Sequence, residues 1–274
     1  MKFSVLMSVY GKDNPTFFKA ALESVSIKQT VKPNQIVVVK DGPVPEEIDN
    51  IIIDLQGEAG NIEFTVIGKE KNAGLAAALN TGLSYCKYDW VARMDSDDIS
   101  VPERFQRQIS FLSKHPDIEV LGGAIAEFES IPGDLESRRY VALTHNDITK
   151  MAKTRTPMNH VSVFYLKASV AKAGNYTEDF GKLEDYKLWV DLLVSGAKFA
   201  NLKDILVYVR VGNGFIKRRS NKREIVDWDM LQEYLLKAKI INNAQALMNK
   251  LYIRTFIYIP SWTKKVVYKT LLRK

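Results

Sequence analysis

The sequence predicts an α/β fold, a mainly parallel sheet flanked by helices, followed by a basic helical extension at the C-terminus. Near-continuous apolar runs at Phe3–Val9, 36–39, 62–67 and Trp90–Met94 alternate with amphipathic stretches through the first hundred residues. Strands with no polar alternation are buried on both faces, as parallel strands between layers of helix are. A chain of 274 residues, 46% of them hydrophobic, can bury a full core in one large domain. From Asn201 onward 16 Lys and Arg stand against 5 Asp and Glu, a net of +11, which leaves −4 on the first 200 residues of a chain totalling +7.

The elements follow in order. After the first strand, Asn14 and Pro15 supply an N-cap and a first helical residue, and Phe18, Leu22 and Val25 recur at i, i+4 and i+7. The second strand ends at Asp41-Gly42-Pro43, and Ile48, Ile51, Ile52 and Leu55 lie on one face of the helix after it. Residues 74–85 read as helix, and the fourth strand runs into Asp95-Ser96-Asp97-Asp98. Ser100 and Glu103 have the spacing of a capping box for a helix carrying Phe105, Ile109 and Leu112. Beyond about Glu127 the pattern is mixed. Strand-like pieces at 138–143 and 160–164 flank a short helix, a helix at 183–194 precedes a last strand at 205–211, and the chain past Ser220 is basic and helical.

Composition narrows the function classes. One cysteine, Cys86, excludes an internal disulfide framework and reads as core filler. The opening MKFSVLMSVYGKD is a buried strand rather than a signal peptide, since its short apolar run meets Lys12 and Asp13 with no small-residue cleavage site. No apolar stretch approaches the roughly 20 residues of a membrane-spanning helix. The basic C-terminal region suits phosphates, an acidic membrane surface or nucleic acid. No recognition motif accompanies the charge, so nucleic acid is not expected. The first strand is followed by no G-x-G-x-x-G, which argues against a nicotinamide dehydrogenase, and no P-loop motif occurs.

Parallel sheets bind ligands at the carboxyl ends of their strands. Those ends here are Tyr10-Gly11, Asp41-Gly42, the loop 71–74 and the Asp95–Asp98 run. Two carboxylates two residues apart at a strand end can converge on a hard cation that completes its shell from phosphates and water; the alternative is a polar turn in which Asp98 or Ser100 caps the next helix. Asp41 accepts hydrogen bonds either from a ligand or from a neighbouring turn. The loop 71–74 opens a helix, so its N–H groups favour an anion, with Gly74 permitting close approach. Asp185, at i−4 from Trp189 and i−7 from Leu192, leads the apolar stripe of its helix. A carboxylate so placed is paired, neutral or functional, with a plain helix cap as the competing reading. His160 reads as a core histidine, and Arg93 either balances the acidic cluster or touches substrate.

Together FSVLMSVYGKD, IVVVKDG, EKNAGLAAALNTGL, VARMDSDDISVPERFQRQ and LEDYKLWVDLLVSGAKFANLKDILVYVR resemble the family-two glycosyltransferases of bacterial exopolysaccharide and O-antigen assembly, which have the GT-A fold. The likeness spans nearly all of residues 3 to 220, and the joint order of the five segments is specific where each alone is not. It implies inverting transfer from a nucleotide sugar, usually a UDP-sugar, with Mn²⁺ or Mg²⁺, onto a hydroxyl of a growing, lipid-linked bacterial glycan. By the same resemblance Val9 and Tyr10 would wrap the nucleotide and Asp41 would hydrogen-bond the base. Asn72 and Gly74 would line the donor pocket, with Arg93 beside it. Asp95 would face ribose and metal, with Ser96 next to it in the donor site, and Asp97 would ligate the metal. Asp185, in the pair Glu184-Asp185, would be the catalytic base. The domains implied are a catalytic unit at 1–219, with a nucleotide-sugar half to about residue 100 and an acceptor half after it, and a helical region at 220–274.

One departure concerns the last strand, which many relatives follow with a metal-binding histidine. Here 208–214 holds none, so the metal would lean on Asp97 and the phosphates, with Arg218 and Arg219 supplying charge. Nucleotidyltransferases share the acidic sheet edge but open with a Gly-rich loop and Arg that this chain lacks. A catalytically silent nucleotide-sugar or glycan-binding module is the alternative. The expected location is the cytoplasm, peripheral on the inner membrane through the basic C-terminal region.

Overall fold

The structure, a computed structural model, describes residues 1–212 and 224–259. Three parallel pairings build the first half: β1 (Phe3–Val9) lies between β2 (Gln35–Lys40) and β4 (Trp90–Met94), and β3 (Glu63–Gly68) flanks β2. The alternation of β1 explains its unbroken apolar run. Phe3, Val5, Met7 and Val9 pack in one core with helices α1 (Pro15–Val25) and α2 (Glu46–Glu58), while Leu6 enters a second core on the opposite face with α3 (Leu75–Tyr85). Asn14 caps α1 as its sequence suggests, its Oδ1 accepting from Thr16 N at 2.9 Å and Phe17 N at 3.3 Å.

The sheet then turns mixed. The short β5 (Ile99–Ser100) and the helix α4 (Arg104–Leu112) lead to β6 (Val120–Phe128), a fully buried strand. Next come β7 (Arg138–Arg139), α5 (His145–Met151), a 3₁₀ turn at His160–Ser162, β8 (Phe164–Leu166) and α6 (Lys167–Lys172). A second 3₁₀ segment, Glu178–Leu183, leads into α7 (Glu184–Val194), and β9 (Phe199–Arg210) closes the sheet. The strand order is β3-β2-β1-β4-β8-β6-β9-β5, with β7 on β6; β8 runs antiparallel to both β4 and β6.

Several local expectations are corrected. The capping box at Ser100 and Glu103 does not form: Ser100 belongs to β5, where Gln29 Nε2 donates to its hydroxyl, and α4 starts without a side-chain cap. The strand expected at 138–143 is only Arg138–Arg139, and the piece at 160–164 is a 3₁₀ turn followed by β8. The last strand begins six residues earlier than expected, at Phe199.

Past residue 220, helices α8 (Glu224–Lys237) and α9 (Asn243–Tyr258) are present, with Asn242 and Gln245 forming a true capping box on α9. They pack on α7 through Phe180, Tyr186, Val190, Leu231, Leu235, Ile241 and Ala246. The boundary expected at 219/220, Arg218 and Arg219, and the end of the chain from 260 lie outside the described residues.

Candidate active site

Register fixes what meets at the sheet edge. Met7 pairs with Met94 and Val9 with Lys40, so Tyr10, Asp41 and Asp95 leave neighbouring strands on one side. Val9 is buried and its carbonyl accepts from Asp41 N at 2.8 Å, whereas Tyr10 is exposed.

Asp41 is buried, and both its carboxylate oxygens are engaged: one accepts from Ala73 N at 2.9 Å, the other from Gly74 N at 2.9 Å. Lys69 Nζ lies 3.5 Å away, and Asn72 Nδ2 donates to the Asp41 carbonyl at 3.2 Å. The anion that the start of α3 favours is therefore one of the protein's own side chains. Gly74 has φ +93° and open space around the position of a Cβ, so glycine serves the backbone conformation there. Close approach falls instead to Gly42, where a Cβ would stand 2.7 Å from Asn72 N.

The acidic run gathers four carboxylates. Asp95 forms an ion pair with Arg93, which is buried beneath it and whose Nε has no hydrogen-bond partner among the described residues. Burial favours loss of the Arg93 proton, but the charge and hydrogen bond of Asp95, with smaller help from Tyr176 and Asp98, together outweigh it and raise the pKa. Asp98 is buried, accepts from Arg210 N at 2.8 Å, and has its pKa held well up by burial and then by Asp95 and Asp97. Asp97 opens to solvent, yet the protein around it raises its pKa to about 6 through desolvation, with Asp95 and Asp13 adding repulsion. Asp13, after β1, faces Ser96 and Asp95, and burial raises its pKa too. Carboxylates that lift one another in this way are short of positive charge, and a hard divalent cation fits them. Among the described residues no three acidic, His or Cys side chains form a complete metal site, so such a cation would draw the rest of its shell from phosphates and water.

Helix α7 brings a second carboxylate pair. Glu184 is buried with one oxygen unpartnered among the described residues, and burial, then the charge of Asp185, lifts its pKa to about 7. Asp185 is half-buried and accepts from Tyr186 N at 2.6 Å, which satisfies a first-turn donor without closing the carboxylate off from the adjoining cleft. That cleft, of about 460 Å³, is lined by Asp95, Asp98 and Asp185 together with His160. His160 Nε2 lies 2.8 Å from the Tyr176 hydroxyl and its ring stands edge-on to Trp189; burial holds it neutral. Val9, Tyr10, Asp41, Asn72, Gly74, Arg93, Ser96 and Asp97 do not line this cleft. They form or support the neighbouring strand ends.

Residues 4–173 match the family described as Glycosyl transferase family 2. The chain belongs to that family. It is a glycosyltransferase that uses a nucleotide sugar. The UDP-Gal:alpha-D-GlcNAc-diphosphoundecaprenol beta-1,3-galactosyltransferase of Escherichia coli is 34% identical to it over 100% of this chain and 97% of that one. Among solved structures, S. aureus TarS 1-349 in complex with UDP-GlcNAc superposes with a TM-score of 0.69 at 19% identity, over 99% of this chain and 77% of that one. Mannosyltransferase PcManGT from Pyrobaculum calidifontis, in complex with GDP-Man and Mn²⁺, gives 0.63 at 15% identity, over 94% and 71%. Both share the GT-A-like architecture.

Residues that the sequence did not single out also stand at the candidate site of this glycosyltransferase. Arg210, at the end of β9, donates from Nε to the Asp97 carbonyl at 3.1 Å, and its guanidinium lies between the Phe17 ring at 3.8 Å and the Phe128 ring at 4.4 Å. With its backbone N–H on Asp98, it clamps the Asp97–Asp98 end of the acidic turn. Trp228 from α8 and Tyr252, Ile253, Phe256 and Ile257 from α9 line the cleft. The two C-terminal helices therefore form one wall of the candidate site.

Proposed function

We propose that this glycosyltransferase moves a sugar, with inversion, from a UDP-sugar to a hydroxyl of a lipid-linked glycan, using a divalent metal. What carries the reading is the meeting of Asp95 and Asp98, from the acidic turn, with the α7 carboxylate Asp185 at a single cleft. The Escherichia coli relative's diphosphoundecaprenol acceptor supports a lipid-linked one here. The TarS complex supports UDP, and the PcManGT complex a metal.

In this mechanism the nucleotide lies over the ends of β1 and β2, against Val9 and Tyr10. Asp41 uses the lone pairs left by Ala73 and Gly74 for the base, and Asn72 and Gly74 form the rim. Arg93 and Ser96 hold Asp95 and its turn in place. A divalent cation bound by Asp95 and Asp97 would neutralise charge on the departing diphosphate. Asp185 takes the proton of the acceptor hydroxyl while that oxygen bonds to the anomeric carbon. The bond to the diphosphate oxygen breaks on the opposite face, its electron pair leaves with the diphosphate, and no covalent intermediate forms. Glu184, with its raised pKa, keeps the pair from carrying two full charges side by side.

A panel of UDP- and GDP-sugars, each assayed for hydrolysis with Mn²⁺ and with chelator, tests this reading. One UDP-sugar is expected to be cleaved only with metal. Cleavage of none, or equal cleavage in chelator, contradicts it.

The reading extends to location, at the cytoplasmic face of the inner membrane. No described helix is long and apolar enough to cross a membrane. Leu247, Leu251 and Tyr258 of α9 are exposed, together with Met248 and Tyr252. Lys250 and Arg254, in contrast, pair with Glu233 and Asp229 of α8, so they add little charge at a surface. The apolar face is left as the contact, reinforced by the basic sequence after residue 260. The protein is expected to float with anionic vesicles at low salt, and Leu247→Ser with Leu251→Ser to reduce flotation several-fold. Unchanged flotation of that variant removes α9 from the contact.

A further inference from the structure

We infer that Arg155, supported by Arg139, binds the diphosphate of the acceptor, and that Trp228, Tyr252 and Phe256 receive the start of its lipid. This rests on the acceptor class proposed above. The cleft lining divides by element. Carboxylates Asp95, Asp98 and Asp185 come from the sheet edge and α7, cations Arg139 and Arg155 from β7 and the loop after α5, and a mainly aromatic and apolar wall, with the single carboxylate Asp227, from α8 and α9. A volume of about 460 Å³ is within the range of small-molecule pockets.

The loop carrying Arg155 is pinned. The Arg139 guanidinium donates to Thr156 O at 2.8 Å and Asn159 Oδ1 at 2.8 Å, and Asn159 Nδ2 donates to Gly123 O at 2.8 Å. Arg155 itself is exposed, and its side chain makes no hydrogen bond or ion pair among the described residues. Trp228 is equally fixed, edge-on to Tyr186 with ring centroids 5.9 Å apart. Lys182 also lines the cleft, but the Asp227 carboxylate lies against the adjacent Gly181 and offsets it. The arginines are the better anion site.

Chemistry sets the arrangement. An acceptor hydroxyl at Asp185 places the diphosphate on the far side of its sugar ring, where two negative charges need a partner distinct from whatever neutralises the donor. A planar guanidinium binds such a group in bidentate fashion. Beyond the phosphates the acceptor becomes apolar, as the α8–α9 wall does.

The test uses three acceptors with one sugar, carrying a lipid diphosphate, a lipid monophosphate or a plain alkyl ether, for wild type, Arg155→Ala and Arg155→Lys. Wild type is expected to prefer the diphosphate. Arg155→Ala should lose about 10- to 100-fold in kcat/KM on the diphosphate acceptor and little on the ether, with Arg155→Lys between them. Donor KM and donor hydrolysis should not change. Equal losses on all three acceptors, or a raised donor KM, overturn the assignment, the latter giving Arg155 to the donor phosphates. Normal donor hydrolysis with no preference among acceptors sinks this subsite alone. Absence of metal-dependent donor hydrolysis in wild type sinks the functional reading as well.

Discussion

Asp97→Ala is expected to abolish sugar transfer and, with it, the dependence of UDP binding on Mn²⁺. Asp97 is the member of the acidic turn open to solvent, while Asp95 is committed to Arg93 and Asp98 to the backbone of Arg210. Removing it takes away the main protein oxygen available to a cation. The fold should tolerate the change, because the turn stays clamped by Arg210 and Asp98. Titration of UDP with Mn²⁺ and with chelator checks this: a variant that still binds UDP more tightly with the metal places the cation on other residues.

Asp185→Asn is expected to lower transfer by about 10²–10⁴-fold while leaving donor affinity near that of wild type. The amide keeps the shape of the side chain and can still accept from Tyr186 N, so α7 should begin as before. What it loses is basicity toward the acceptor hydroxyl, which acts only in the chemical step. Initial rates at saturating acceptor, beside UDP-sugar affinity from calorimetry, separate the cases. A matching loss of donor affinity makes Asp185 a binding carboxylate, and an unchanged rate removes it from the chemistry.

The first hundred residues of the fold were legible because their signals are local. Buried strands, the Asn14-Pro15 start and the acidic turn all lie within short windows, and the structure holds them nearly where the sequence puts them. Strand β6 escaped notice because Gly122 and Gly123 break its β-branched pattern. Those glycines answer to tertiary neighbours, since a Cβ on them would meet Asn201 Oδ1 at 2.4 Å and Leu206 Cδ1 at 2.5 Å. The capping-box motif at Ser100 failed for a similar reason: pairing of Ser100 with Val207 draws it into the sheet, and that pairing depends on a strand about a hundred residues away.

The site divides along the same line. Asp95, Asp97 and Asp185 stand at element ends that periodicity can find. Arg210 reaches the acidic turn, and the α8–α9 wall the cleft, only through packing, and no spacing in the sequence announces them. Asp41 was visible as a carboxylate at a strand end, but its capture of the Ala73 and Gly74 N–H groups depends on how β2 meets the loop before α3.

The most direct test of this account is the anomeric configuration of the product, read by NMR on the glycan made from an α-linked UDP-sugar and a lipid-diphosphate acceptor with Mn²⁺. Displacement by an acceptor oxygen deprotonated at Asp185 predicts a β-linked sugar as the only product. An α-linked product would mean retention of configuration, and would contradict a mechanism in which Asp185 serves as base for a single inverting displacement.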